Sequence, residues 1–258
     1  MSKSPYSNAI FNQIGGSLYV YGARFDYVGE TCRPMDQIVT DFRVLRLTEL
    51  CCKLDEVYGP TGQGRVEALW RTIIADTSGD QHPALSRYGD YFHDWMLCHL
   101  KQYLAKCAGI WSNRERWMQS FQKLAESNRV DDVLPTLAEV EAAMDCDKNA
   151  GTSSERVHLP LLNESDCYNT AAERVCGDRS LFLTTRGYVG LGPRSMWSED
   201  EVWLLHGARV PFILRKVDDN YEEHKRYEVV GEAYLHGFMH GEMLDAGLEK
   251  DLGLIQIV

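Results

Sequence analysis

Apolar residues fall into two rhythms along this chain. Between residues 35 and 145 they recur at three- and four-residue steps, as on the buried face of a helix. Ile38, Phe42, Leu45, Leu47, Leu50 and Leu54 predict a helix over 35–58, stopped by Gly59-Pro60-Thr61-Gly62. Val66, Leu69, Trp70, Ile73 and Ile74 predict a second over 64–76, closed by Thr77-Ser78-Gly79-Asp80. A third, rich in aromatics, is expected over 84–107 from Leu85, Tyr88, Phe92, Trp95, Met96, His99 and Tyr103. Trp117, Phe121 and Leu124 place a helix over 111–126. Another follows over 130–145, where Asp131 and Asp132 suit a helix N-terminus and Pro135 is tolerated only in the first turn.

The second rhythm is that of strands. Residues 17–31, SLYVYGARFDYVGET, are dominated by Tyr, Val and Phe and interrupted by Gly22, which predicts a strand or two with a bulge. Residues 1–13 read as a flexible tail and 147–163 as a loop. Ser165 is placed to cap a short helix ending at Cys176-Gly177. After Gly177 come short apolar runs (SLFLTT, GYVGLGP, EVWLLHG, VPFILRKV, RYEVVGEAYLHG), with a last one, LIQIV, at the C-terminus. Gly, Pro, Asn and Asp separate them, as in a small antiparallel sheet or barrel. The expected fold class is α+β, with a mainly helical part over 14–146 that includes the N-terminal strand. It packs on a small antiparallel, barrel-like β module over 164–258.

Composition narrows the function. Of 258 residues, 44% are hydrophobic and 25% charged, enough for a packed core. The formal net charge of -11 repels phosphate and argues against a broad nucleic-acid footprint. The N-terminus has no secretory pattern, and no apolar run approaches the roughly 18 residues of a membrane span, so a cytoplasmic protein is expected. The eight cysteines (Cys32, Cys51, Cys52, Cys98, Cys107, Cys146, Cys167, Cys176) include no CxxC spacing. They read as free thiols, many of them buried, and no metal site is expected.

The sharpest polar cluster is His236-Gly237-Phe238-Met239-His240-Gly241-Glu242. If it were helical, His236 and His240 would share a face, with Glu242 nearby for acid–base work. The glycines favour a strand end and turn. Gly187, Gly190 and Gly192 in GYVGLGP do not match a phosphate-cradling fingerprint and read as a hairpin. Arg194 and Ser195 follow it as a guanidinium and hydroxyl at a possible rim, with His206, His236 and His240 as bases in the same module. Among the helices, His93-Asp94 and His99 lie within the aromatic run. His99 reads first as a core histidine, and second as part of an aromatic pocket between the helices and the β module. No cofactor motif occurs.

Five segments carry a family likeness. LFLTTRGYVGLGP at 181–193, EVWLLHGARVPFILRKV at 201–217 and YEVVGEAYLHGFMHGEM at 227–243 resemble the C-terminal region of fungal heterokaryon-incompatibility (HET) proteins. EALWRTIIAD at 67–76 and the strand near 19–27 share the likeness. The HET domain proper, which precedes this region and is linked to cell death, is expected to be absent here. The resemblance then implies a repurposed module, and two readings follow. In the first, it is an enzyme of secondary metabolism using side chains alone for acyl transfer, cyclisation, or peptide-bond formation from activated amino acids. Its concrete version is tRNA-dependent cyclodipeptide formation, the RNA docking on Lys101, Lys106, Arg114 and Arg116. His240 and Glu242 would be the acid–base pair and His236 an orienting residue. Tyr188, Arg194, Ser195, His206 and Tyr234 would contact the substrate. In the alternative, it is a non-catalytic recognition or regulatory module that binds a protein partner through an exposed apolar patch.

Overall fold

The computed structural model describes residues 12–14, 17–32, 43–106, 111–126, 133–149, 161–217, 225–239 and 252–258. In chain order its elements begin β1 (Asn12–Ile14), β2 (Ser17–Thr31), α1 (Arg43–Cys51), β3 (Val57–Tyr58), β4 (Gln63–Gly64), α2 (Arg65–Ile73), α3 (Tyr88–Lys106), α4 (Trp111–Glu126) and α5 (Leu137–Asn149). They continue α6 (Leu161–Cys176), β5 (Arg179–Thr184), β6 (Val189–Pro193), β7 (Glu201–Leu205), β8 (Phe212–Val217), β9 (Arg226–Glu232), β10 (Tyr234–Leu235) and β11 (Gly253–Ile257). The class is mixed α+β. Two compact units emerge, Cys32–Leu181 and the pair of segments Met1–Thr31 and Phe182–Val258.

The first unit holds all six helices found among the described residues. α1 stops at Cys51 rather than running to residue 58, because the following residues turn into the β3–β4 hairpin, with Gly62 at φ +72°. α3 starts at Tyr88, four residues later than the apolar rhythm suggests. α5 starts at Leu137. Its N-cap is Thr136, whose Oγ1 accepts from the Glu139 N–H at 3.2 Å while Glu139 Oε2 accepts from the Thr136 N–H at 2.7 Å. That reciprocal capping box leaves Pro135 just outside the helix. Asp131 and Asp132, expected to open it, lie outside the described residues. α6 begins at Leu161, so Ser165 sits inside it and does not cap it.

Aromatic packing unites α3 and α6. Tyr168 is fully buried between Phe92 and Trp95, both at 5.4 Å, and its hydroxyl donates to the Trp70 carbonyl of α2 at 2.8 Å. His99 lies 4.3 Å from the Trp95 ring and donates from Nδ1 to the Trp95 carbonyl. Burial lowers its pKa, so it is a neutral core histidine. The EALWRTIIAD segment also resolves into structure. Arg71, 8% exposed, bonds Glu67 and Asp76 at 2.7 Å each, and its guanidinium lies 4.4 Å over Trp70. Asp76 also accepts from the Ala84 N–H, so this ion-pair network ties the end of α2 to the loop before α3. Burial pushes the Cys176 thiol up to about 12, as expected of an inert core cysteine.

The second unit is built on β2, a 15-residue strand with irregular register at Arg24/Asp26 and Val28/Glu30. β2 pairs with β11, β7 and β5, all antiparallel. β11 pairs in parallel with β9, whereas β9 pairs antiparallel with β8 and β8 antiparallel with β7. The ladder β2–β11–β9–β8–β7 therefore returns to β2. Each of these five strands sends one buried side chain to a single cluster: Val20, Trp203, Leu214, Tyr227 and Ile255. β5, β6 and β10 extend from the far half of β2. A second cluster, including Phe25, Val28, Phe182, Val202, Ile213 and Phe238, uses the opposite face of the shared strands. The strand at 17–31, adjacent in sequence to the helices, thus pairs with strands from the other end of the chain.

Candidate functional site

The GYVGLGP glycines are structural, each for its own reason. The Thr184 N–H donates to the Tyr188 carbonyl and the Gly187 N–H to the Thr184 carbonyl, with Gly187 at φ +86°. This is a three-residue hairpin loop closed by a left-handed glycine. Asp26, 4% exposed, braces it by accepting from the Thr185 hydroxyl and from the Arg186 N–H at 3.0 Å. Gly190 and Gly192 instead allow close approach. A Cβ at Gly190 would strike the Tyr234 carbonyl oxygen, and one at Gly192 would lie 2.7 Å from the Met196 sulfur.

The residues expected to contact a substrate fall in three places. Tyr188 packs edge-on against Phe25 at 4.8 Å and against Phe238 at 6.0 Å. On β10, which pairs with β6, and in the turn after it, Tyr234 and His236 are both buried, with the Tyr234 hydroxyl 3.0 Å from His236 Nδ1. His236 and Gly237 form a turn after β10, so the segment leaves β10 as a strand end and does not continue as a helix there. His240 and Glu242 lie outside the described residues. At the other end of β6, Arg194 and Ser195 form an exposed turn. His206 follows β7 in a further turn, where its N–H donates to the Tyr21 carbonyl. Of the basic strip, the side chains of Lys106, Arg114 and Arg116 lie outside the described part, and Lys101 is half-buried. Among the described residues no group of three His, Cys, Asp or Glu side chains is arranged to hold a metal ion.

The most distinctive surface lies just beyond Arg194 and Ser195. Trp197 is 66% exposed, the most exposed large apolar side chain among those described. Its neighbour Met196 is 4% exposed and plugs the cluster around Phe25. The backbone there is held firmly. The Trp197 N–H donates to Asp200 Oδ2 at 2.7 Å, and the Glu199 N–H donates to the Val28 carbonyl at 2.8 Å. The Val28 N–H returns to the Asp200 carbonyl at 2.8 Å. Asp200 also takes the Arg215 guanidinium in a fork, Nε to Oδ1 at 2.8 Å and Nη2 to Oδ2 at 2.7 Å. Arg215 reaches the Ser195 carbonyl too, and its guanidinium stacks 4.2 Å from the Trp197 ring. The Asp200 hydrogen bonds raise the Arg215 pKa, so the guanidinium stays charged. The turn that carries this exposed indole is thus tied to Val28 of β2, and the ring lies against Arg215 of β8.

Trp197, Asp200 and Arg215 were not among the residues singled out from the sequence. One signal was available: a tryptophan in a polar run, Trp197-Ser198-Glu199-Asp200-Glu201, between two strands. Nothing local links that run to Arg215, fifteen residues on.

The segments quoted for the family likeness agree with direct comparison. A family model described as the Het-6 beta-barrel domain matches residues 23–255. Heterokaryon incompatibility protein 6, OR allele, of Neurospora crassa is 27% identical over 216 residues. That match covers 83% of this chain but 28% of the relative, so the chain corresponds to less than a third of that protein. No solved structure matches.

Proposed function

This chain belongs to the Het-6 beta-barrel domain family, and from that membership we propose that it is a non-catalytic recognition module related to fungal nonself recognition. The observation that carries this reading is Trp197. Water-exposed indole is unfavourable in a free monomer, and here its backbone is tied to Asp200 while its ring lies against an Arg215 that the same carboxylate holds in place. Tryptophan and arginine are among the residues that dominate protein–protein binding energy, and a side chain already packed against its neighbour has less freedom to lose on docking.

The catalytic reading draws on His240, Glu242 and His236. Of these only His236 lies among the described residues, where it is buried against Tyr234. No observation favours acyl transfer, activated amino acids or tRNA over recognition. The free thiols of Cys32, Cys51, Cys52, Cys98 and Cys176 fit a reducing, cytoplasmic setting for the module. No helix among the described residues is long and apolar enough to cross a membrane.

The test compares proteins recovered with the wild-type chain and with Trp197→Ala from fungal mycelium by quantitative mass spectrometry. A hot-spot tryptophan contributes about 2 kcal/mol or more, so specific partners should fall roughly tenfold or further. The variant itself should unfold within about 1 kcal/mol of wild type, since the indole is exposed. Equal recovery of every partner by both chains would sink the proposal.

A further inference from the structure

We propose that the Trp197 platform docks a basic segment of a protein partner, a lysine or arginine laying its methylenes on the open indole face with its cation at Glu199. This rests on the recognition reading and specifies the partner's chemistry.

The shape comes first. Arg215 covers one side of the Trp197 ring at 4.2 Å, yet 66% of the residue remains open to solvent. A flat apolar surface of that size suits a long, thin aliphatic chain. Lysine and arginine stems lie along apolar surfaces while their charged heads stay in polar surroundings.

Charge then selects the occupant. The stretch 194–201 carries one arginine against three carboxylates, Glu199, Asp200 and Glu201. Asp200 is taken up by Arg215. Glu201 is buried and engaged by Arg24 at 3.5 Å and by the Trp203 indole N–H at 2.8 Å. Glu199 is different. It is exposed, and among the described residues no hydrogen bond or ion pair engages its carboxylate. Arg215 does not repel an incoming cation, because the Asp200 fork neutralises it. The net charge of -11 adds a long-range pull on basic partners.

Backbone conformation supplies a third observation. Glu199 sits at φ +78°, in the left-handed region that residues with a Cβ rarely adopt. The bond from its N–H to Val28 holds it there, two residues after the indole. Strained conformations kept by the surrounding structure concentrate at functional positions.

The experiment uses the full ¹⁵N-labelled chain at low salt. The Trp197 indole N–H resonance is assigned by its loss in Trp197→Ala, against the other five tryptophans as folding controls. Pentalysine is titrated in, with pentaglutamate and pentaserine as comparison peptides. The expected result is a saturable shift of the Trp197 indole with pentalysine alone, weakened by added salt. Glu199→Gln should raise the apparent Kd roughly tenfold, and Trp197→Ala should do the same when followed at the 198–199 amides. Unchanged affinity in both variants, or an equal shift with pentaglutamate, overturns the inference. The two proposals fail separately. Loss of mycelial partners in Trp197→Ala without any pentalysine response removes only the basic-segment assignment. Retained partners remove the recognition reading.

Discussion

Gly187 and Gly190 stand three residues apart in one hairpin and meet opposite constraints. Gly187 needs its positive φ but faces open space, so Gly187→Ala should cost only the left-handed penalty, about 1 kcal/mol. Gly190 has ordinary φ but no room. A Cβ there meets the Tyr234 carbonyl, Leu235 Cδ2 at 2.8 Å and Phe182 Cε1 at 2.9 Å. Gly190→Ala should cost about 3 kcal/mol or more, since backbone must move. Urea unfolding of both variants checks the order, and equal losses would contradict this account. The sequence shows that these glycines punctuate a hairpin. It does not show which one is a conformational requirement and which one a packing requirement, because the second depends on β10, more than forty residues away. His236 has the same character. Its place at a strand end is legible from the flanking glycine, but its partnership with Tyr234 depends on the alternation of β10 and the turn that follows.

At the scale of the element, α5 shows how local chemistry overrides apolar rhythm. The Thr136–Glu139 capping box sets its start, several residues beyond the Asp131-Asp132 pair. Hydrogen bonds from the Thr136 N–H and hydroxyl lower the Glu139 pKa below its ordinary 4.5, with a further pull from His93. A carboxylate depressed in the folded state contributes stability that is complete above its unfolded pKa and lost as pH falls through the folded one. Thr136→Ala should therefore destabilise the chain by about 1 kcal/mol at neutral pH. The gap between variant and wild type should narrow near pH 3, as Glu139 becomes protonated. Urea titrations at the two pH values test this, and a gap of the same size at both would rule it out. The S/T-x-x-E spacing was present in the sequence as Thr136 and Glu139. The start was misplaced because two adjacent acids and a proline gave a stronger linear signal than the cap.

At the scale of the molecule, β11 joins β2 on one side and β9 on the other, and so completes the cycle of pairings in the β unit. Removing residues 253–258 would expose two strand edges and take Ile255 from the central cluster. The truncated chain should lose cooperative unfolding of its β signal in circular dichroism and gain a tendency to aggregate. A truncation with an unchanged transition would show that the cycle does not support the unit. The sequence by itself determined most of the element types, including the helices that follow residue 35, the strand at 17–31 and the strands after 177, together with the turn role of the glycines and the family. Those features rest on periodicity, turn chemistry and short ordered motifs, all of which are local. Only the tertiary structure decided that the strand at 17–31 belongs with those after 182, that Glu67, Arg71 and Asp76 are a buried brace, and that Trp197 stands in solvent with its backbone tied to Asp200 and its ring against Arg215. Strand pairing and ion pairing over long separations are set by the energy of the assembled sheet, which no window of neighbouring residues encodes.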